Sequence, residues 1–166
     1  MESIFAPWRL EYVTSADKKI DGECIFCRAF QSRDDADTLT LRRWQGCFAL
    51  LNRYPYTSGH TMIAPVKHEG DLDALSPEIL SEMMLATRSV IRALRRVYNP
   101  HGFNVGFNLG QAAGAGISDH LHLHVIPRWR ADTNLISVVG GARVIPEDLL
   151  TTHRRVRDAL EEELHA

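Results

Sequence analysis

Positions 119–127 read DHLHLHVIP, and this segment restricts the fold more than any other part of the chain. Histidine and an apolar residue alternate in it, and alternation with a period of two is the pattern of a β-strand. In a strand, the three imidazoles lie on one face, about 6.6 Å apart: His120, His122 and His124. The residues between them are then predicted to face the core: Leu121, Leu123 and Val125. A helix would scatter the same imidazoles around its circumference, so the segment is predicted to be a strand.

The remaining sequence predicts further strands and two main helices. TLTLRRWQGCFALLN is predicted to form a hairpin of two strands. HTMIAPV is predicted to be a third strand, and FNVGFNLG is a further strand with alternating residues. One helix is predicted to begin after Ser76, which can cap it, and to stop at Asn99-Pro100. The second helix is predicted over about 146–164. This order of elements predicts the α+β class, with an antiparallel sheet of about five strands.

The chain of 166 residues is predicted to form a single domain over 1–166, with an N-terminal arm at 1–22 and a short extended piece at NLISVVGGARVIP. The net charge of −2 provides no basic field for nucleic acid or an anionic membrane. No apolar run approaches the roughly 18 residues of a membrane span. MESIFAPWRLEYV lacks the apolar core of a signal peptide, and three cysteines form no even disulfide framework. Both features favour a cytoplasmic location.

Two neighbouring features make the histidine face a candidate site for phosphate chemistry. FNVGFNLG carries only asparagine and glycine on its polar face, which leaves space and supplies uncharged hydrogen bonds. The glycine-rich loop QAAGAGISD follows, and its backbone N–H groups can form a concavity for phosphate oxygens. Together they predict a phosphate site beside an imidazole nucleophile. Two alternatives stay open: the histidines lie on an exposed sheet face, or one of them binds a metal together with ligands from elsewhere.

The segment CIFC places Cys24 and Cys27 at the C-x-x-C spacing of metal knuckles. A redox dithiol and a pair of buried cysteines are the alternatives. A redox motif is expected at a helix N-terminus within a βαβ unit, and the sequence predicts neither here. Cys47 lies within a predicted strand and is expected to pack in the core. The other histidines are expected at the surface: His101, His153 and His165.

HLHLHVI resembles the histidine triad, His-x-His-x-His followed by two apolar residues, of the HIT superfamily of nucleotidyl hydrolases and transferases. FALLNRYPYTSGHTMIAP is similar to the family segment that ends a strand in asparagine and continues to a Gly-His pair. FNVGFNLGQAAGAG is similar to its phosphate-loop strand, and the resemblance covers about Cys24 to Trp129. FAPWRLEYV, HGFNVGFNLG and PRWRADTN resemble the bacterial branch that contains diadenosine tetraphosphate phosphorylases (ATP adenylyltransferases). The resemblance implies the HIT fold, with the sheet continued across a homodimer.

The resemblance also implies a catalytic set: His122, His124 and His120. His122 is the implied nucleophile, which attacks the α-phosphorus and forms a covalent nucleotidyl-histidine intermediate that water or phosphate resolves. Its other ring nitrogen is expected to keep a proton directed at a backbone carbonyl, which fixes the tautomer. His124 is implied to donate to a phosphate oxygen and to assist the leaving group.

A set of substrate-binding residues is implied as well: Asn52, Asn108, Gly114, Ala115, Gly116, Ser118 and His60. Asn52 matches the family residue near the ribose, and His60 matches the residue that supports the triad. Asn108 and the loop amides are implied to stabilise charge on the phosphoryl oxygens. Ser118 either adds a hydroxyl or is a simple turn residue.

The implied activity is cleavage of a dinucleoside polyphosphate such as diadenosine tetraphosphate, or transfer of its nucleotidyl group. Phosphorolysis and hydrolysis both stay open, because some phosphorylase-branch members have Gly-Ser where this chain has Ala115-Gly116. Three alternatives remain: cleavage of AMP–amine bonds as by a nucleoside phosphoramidase, zinc-dependent hydrolysis, and non-catalytic nucleotide binding. The implied partners are a nucleotide, inorganic phosphate and a second copy of the chain, with no organic cofactor.

Many HIT proteins bind structural zinc through a C-x-x-C pair, a histidine after the third strand and the first triad histidine. The matching residues of this chain are Cys24, Cys27, His68 and His120. A tetrahedral Cys2His2 site would tether the N-terminal arm to the triad segment. In that arm, three residues are open to roles as a core anchor, a lid or part of the base pocket: Trp8, Arg9 and Tyr12.

Overall fold

The computed structural model describes residues 24–130, 132 and 145–165. The predicted N-terminal arm and residues 134–144 of the predicted extended piece lie outside the described residues. The strands are β1 (Thr40–Arg43), β2 (Cys47–Leu51), β3 (Thr61–Pro65), β4 (Gly102–Phe107) and β5 (Leu123–Arg128). The α-helices are α1 (Ile25–Gln31), α2 (Asp35–Thr38), α3 (Pro77–Tyr98) and α4 (Leu149–His165).

The strands form one sheet in the order β1-β2-β3-β5-β4, and every neighbouring pair is antiparallel. The predicted α+β class, with five strands and two long helices, is confirmed. The helices α3 and α4 cover one face, where Leu123 and Val125 join Val90 and Leu160 in the main core. The short helix α1 packs Phe26 on the opposite face.

Capping side chains set the bounds of the two long helices. Ser76 Oγ accepts a hydrogen bond from the Ile79 N–H at 3.4 Å, and Asn99 ends α3 in the left-handed region with a φ of 44°. The helix α4 begins later than predicted, because the Asp148 carboxylate caps it by accepting from the Thr151 N–H at 2.9 Å. Within the part of the chain that the structure describes, neither of these helices, nor any other, has the length and apolar character to cross a membrane.

The strand β5 begins at Leu123, so the prediction that the strand includes the first two triad histidines is wrong. Before this point the chain pairs with another segment, because the Leu121 N–H donates to the Glu69 carbonyl at 2.7 Å. A Cβ on Gly70 would lie 2.3 Å from the Ser118 carbonyl oxygen, so this approach requires glycine. The alternation of faces persists nevertheless, since Leu121 packs in the main core with Leu123.

The sequence analysis did not predict the two short helices α1 and α2. Cys24 occupies the N-cap position of α1 without a capping side-chain hydrogen bond, so no cap signal marks its start. The C-x-x-C pair therefore lies at a helix N-terminus, contrary to the expectation. The fully antiparallel sheet still provides no βαβ unit of the kind that carries a redox motif.

The prediction that His153 lies at the surface is wrong. The residue is 1% exposed, and its Nε2 donates to the Thr40 carbonyl at 2.7 Å, which joins α4 to β1. Burial of the imidazole is tolerated because this hydrogen bond satisfies it. His101 and His165 are exposed, as predicted. Cys47 is buried in β2, as predicted, and burial raises the pKa of its thiol to about 12.

Candidate active site and metal site

His122 lies in the extended chain just before β5, and it is 7% exposed. Its Nδ1 lies 2.9 Å from the backbone carbonyl oxygen of His120. A carbonyl oxygen only accepts hydrogen bonds, so Nδ1 carries the proton and Nε2 carries the lone pair. Burial lowers the pKa of His122, which favours the neutral ring near pH 7. The residue is thus a neutral imidazole in the tautomer that makes Nε2 a nucleophile.

A second histidine fixes the tautomer of His124. The Tyr56 N–H donates to His60 Nδ1 at 3.2 Å, so the proton of neutral His60 is on Nε2. That Nε2 lies 3.0 Å from His124 Nδ1 and donates to it, which leaves the proton of neutral His124 on its own Nε2. Burial, with a smaller contribution from His122, lowers the pKa of His124 to about 4. His124 therefore donates as a neutral imidazole at pH 7.

The loop between β2 and β3 presents His60 to the triad. Asn52 Oδ1 accepts from the Tyr54 N–H at 2.9 Å, and Asn52 Nδ2 lies 3.4 Å from His60 Nδ1. The Tyr56 ring stacks on the His60 ring with centroids 4.8 Å apart. Gly59 takes a φ of +79°, a conformation that favours glycine. The structure thus places two predicted site residues together and adds Tyr56, which the sequence analysis missed.

Phe26 is a further contact that the sequence analysis missed. It is 1% exposed, and its ring centroid lies 5.0 Å from that of His120 and 4.8 Å from that of His122. Its place between Cys24 and Cys27 is the sequence signal that could have identified it. An ion held by that pair would keep this aromatic ring against the candidate nucleophile.

Asn108 lies at the start of the loop after β4, and several of the donors predicted to hold phosphate are engaged within this loop. Asn108 Nδ2 lies 3.5 Å from the Gly114 carbonyl oxygen. The N–H groups of Gly114 and Ala115 donate to loop carbonyls at 2.9 and 3.3 Å. Ser118 Oγ donates to the Asp119 carboxylate at 3.0 Å. The contact of these groups with phosphate therefore stays a prediction.

The structure brings together the four predicted metal ligands: Cys24, Cys27, His68 and His120. One ligand atom of each lies within 4.8 Å of the others. The Sγ atoms of Cys24 and Cys27 lie 3.4 and 3.7 Å from His120 Nδ1, and His68 Nδ1 lies 3.3 Å from Cys27 Sγ. His120 Nε2 donates to the Pro65 carbonyl at 2.9 Å, so Nδ1 directs its lone pair at the cluster. Two thiols and two imidazoles are the donor set of structural zinc, and this cluster fits that ion.

Comparison with known proteins agrees with this geometry. The AP-4-A phosphorylase of Mycobacterium tuberculosis is 37% identical over 159 residues, which cover 93% of this chain and 82% of that protein. The adenylylsulfatase HINT3 of Arabidopsis thaliana is 29% identical over 124 residues, which cover 72% of this chain and 61% of that protein. A Zn-bound histidine triad family protein from Mycobacterium smegmatis has a TM-score of 0.67 at 28% identity, covering 85% of this chain and 95% of its own. The HIT domain model matches residues 34–131, across the sheet and all three imidazoles, and the chain belongs to the HIT family.

Proposed function

We propose that this chain cleaves dinucleoside polyphosphates such as diadenosine tetraphosphate through a covalent nucleotidyl-histidine intermediate on His122. The observation that carries the proposal is the hydrogen bond from His122 Nδ1 to the His120 carbonyl. It leaves the Nε2 lone pair for attack on the α-phosphorus. The 37% identity to an AP-4-A phosphorylase supports the substrate class.

The first step forms a bond between His122 Nε2 and the α-phosphorus and breaks the bond from that phosphorus to the bridging oxygen. For diadenosine tetraphosphate, the leaving group is ATP. His124 Nε2–H donates to the departing oxygen. The ring centroids of the two histidines are 4.9 Å apart, which is close enough for both rings to contact one phosphoryl group. In the second step, phosphate or water attacks the same phosphorus, the P–N bond breaks, and ADP or AMP leaves.

The remaining predicted contacts complete the proposal. Asn108 and the amides of residues 114–116 hold phosphoryl oxygens once the loop exchanges its internal hydrogen bonds for the ligand. Asn52 approaches the ribose, and Ser118 adds a hydroxyl. Zinc, when bound, supplies a structural cross-link, and the residues that would hold it are Cys24, Cys27, His68 and His120.

A homodimer and a cytoplasmic location also belong to the proposal. The strand β4 lies at the edge of the sheet, and its Val105 is 42% exposed. An edge strand is a template for pairing with another chain. We therefore infer that β4 of a second copy continues the sheet, as the sequence resemblance implies.

Inorganic phosphate is expected to determine the products. With phosphate as acceptor, diadenosine tetraphosphate should give ADP and ATP, whereas water should give AMP and ATP. The test is product analysis by ion-exchange chromatography with and without ¹⁸O-labelled phosphate, followed by mass spectrometry of the ADP. We expect labelled ADP. Formation of AMP and ATP without ADP at saturating phosphate would assign a hydrolase, and no cleavage under either condition would contradict the proposed reaction.

Replacement of His60 by phenylalanine is expected to lower kcat about 100-fold with little change in KM. The substitution removes the Nε2–H that fixes the tautomer of His124, so the His124 proton is free to move to Nδ1 and away from the substrate. Steady-state kinetics on diadenosine tetraphosphate measure the effect, with the exposed His101→Phe variant as a control. A folded His60→Phe protein with unchanged kcat, or with a change confined to KM, would contradict this positioning role.

A further inference from the structure

The catalytic face of the sheet carries one cross-strand row of side chains that ends in a glycine. Register places Leu50 opposite Met62, Met62 opposite His124, and His124 opposite Gly106. Leu50 and Met62 are buried in the cluster that includes Phe26 of α1. Residues paired directly on antiparallel strands share a face, with Cα atoms about 4.5–5.5 Å apart. Gly106 is therefore the cross-strand neighbour of His124 on this face.

Within the part of the chain that the structure describes, neither the backbone nor the packing requires glycine at position 106. Positive φ angles occur at other described glycines: Gly59, Gly110 and Gly114. A Cβ built on Gly106 meets no atom of the described residues within 4 Å. Glycine weakens a strand interior, because it adds conformational freedom to the unfolded chain and has no side chain to pack. Among the described residues, the space across from His124 is therefore open, and it offers room for a ligand.

We propose that Gly106 is a specificity-determining residue that keeps open the subsite for the leaving nucleotide; this rests on the function proposed above. In an in-line displacement, the leaving group departs on the side of phosphorus opposite the nucleophile. A polyphosphate leaving group therefore extends from His122 past His124, and Gly106 is the β4 residue across from His124. Asn104 lies two residues before Gly106 on the same face of β4, and Asn108 lies two residues after it, just beyond the end of the strand. The subsite thus combines the absence of a side chain at Gly106 with uncharged asparagine amides near it.

The variant Gly106→Val tests this subsite, and Gly102→Val is its matched control. Gly102 lies on the same strand and the same face, and a Cβ built on it also meets no described atom within 4 Å. It pairs with Arg128, away from His124. Valine is favourable in strands, so both variants are expected to remain folded in thermal unfolding monitored by circular dichroism.

Isothermal titration calorimetry measures the binding of two ligands to each variant. One is AMP, and the other is a diadenosine tetraphosphate analogue in which methylene groups replace the α,β-bridging oxygens. We expect Gly106→Val to lower the affinity for the analogue by about 10-fold or more and the affinity for AMP by less than about 2-fold. The reason is that only the analogue places atoms beyond His124. Gly102→Val should change neither affinity. The smaller substitution Gly106→Ala is expected to give a smaller loss in the same direction.

An unchanged affinity of Gly106→Val for the analogue would overturn the subsite assignment, as would equal losses for AMP and the analogue. The proposed reaction has a separate test in the wild-type protein. If Gly106→Val lowers only the affinity for the analogue, the subsite assignment is supported even where the wild-type protein fails to cleave diadenosine tetraphosphate. Wild-type protein that binds neither AMP nor the analogue contradicts both proposals.

Discussion

Replacement of His122 by alanine is expected to lower kcat on diadenosine tetraphosphate by about 10⁴-fold or more, while the protein stays folded. The variant loses the Nε2 lone pair that attacks phosphorus in the proposed reaction, and neither neighbouring imidazole is oriented to replace it. The Nε2 atoms of His124 and His120 both carry protons, and the second donates to the Pro65 carbonyl. Their Nδ1 atoms face His60 and the cysteine pair instead of the substrate.

A single-turnover experiment with substrate labelled in the adenylyl group detects the intermediate directly. An alkaline quench preserves the phosphoramidate bond, so the label should stay on wild-type protein and be absent from His122→Ala. The control is His165→Ala, which removes an exposed imidazole at the end of α4 and should retain full turnover and labelling. Label on His122→Ala, or turnover within about 10-fold of wild type, would show that another group attacks phosphorus.

The triad segment shows what local periodicity can predict. Alternation with a period of two assigns Leu121 and Leu123 to one face, and both pack in the main core. The same pattern cannot predict where the strand begins. That boundary depends on the Glu69 carbonyl, which takes the Leu121 N–H, and on the missing side chain of Gly70. Both residues come from a distant part of the sequence and meet the triad segment only in the folded chain.

For His153, the burial could be predicted from the sequence, whereas the hydrogen-bond partner could not. It lies three and seven residues before Val156 and Leu160, a spacing that marks the buried face of α4. Its burial could therefore have been predicted from helical periodicity. Its partner, the Thr40 carbonyl on β1, depends on how α4 crosses the sheet, which no local pattern contains.

The metal cluster and the candidate active site also combine features that the sequence predicts with features that it does not. The C-x-x-C spacing is visible locally, but only the family resemblance joined it to His68 and His120 before the structure did so. The resemblance assigned no role to Phe26 or Tyr56, yet their rings lie against His122 and His60. Aromatic contacts of this kind depend on tertiary packing, so the sequence provides the residues without their partners.

Removal of a metal ion from the Cys2His2 cluster is expected to lower the free energy of unfolding. The cysteines lie at the start of α1, His68 follows β3, and His120 precedes β5. A bound ion therefore cross-links three parts of the chain. An ion that binds only the folded state stabilises it by about 4 kcal/mol when its free concentration is 1,000 times Kd. For a chain of this size, that corresponds to a Tm lower by about 8–16 °C after chelation.

Thermal unfolding by circular dichroism, before and after dialysis against EDTA, measures this change, and mass spectrometry measures the zinc content. The double variant Cys24→Ser/Cys27→Ser should lack zinc, unfold near the Tm of the chelated wild type and be insensitive to EDTA. An EDTA effect on this double variant would show that the chelator acts elsewhere. A wild-type Tm that chelation does not change would contradict the metal site itself.

Turnover after chelation separates a structural ion from a catalytic one. The tautomer of His122 depends on the His120 carbonyl, and the His120 ring is itself held by its hydrogen bond to the Pro65 carbonyl. Chelated protein that is folded, well below its Tm, should therefore retain most of its kcat. Lost turnover in chelated protein that circular dichroism shows to be fully folded would instead support zinc-dependent hydrolysis. In that case the ion would act on the substrate, and the cysteine pair would belong to the reaction centre.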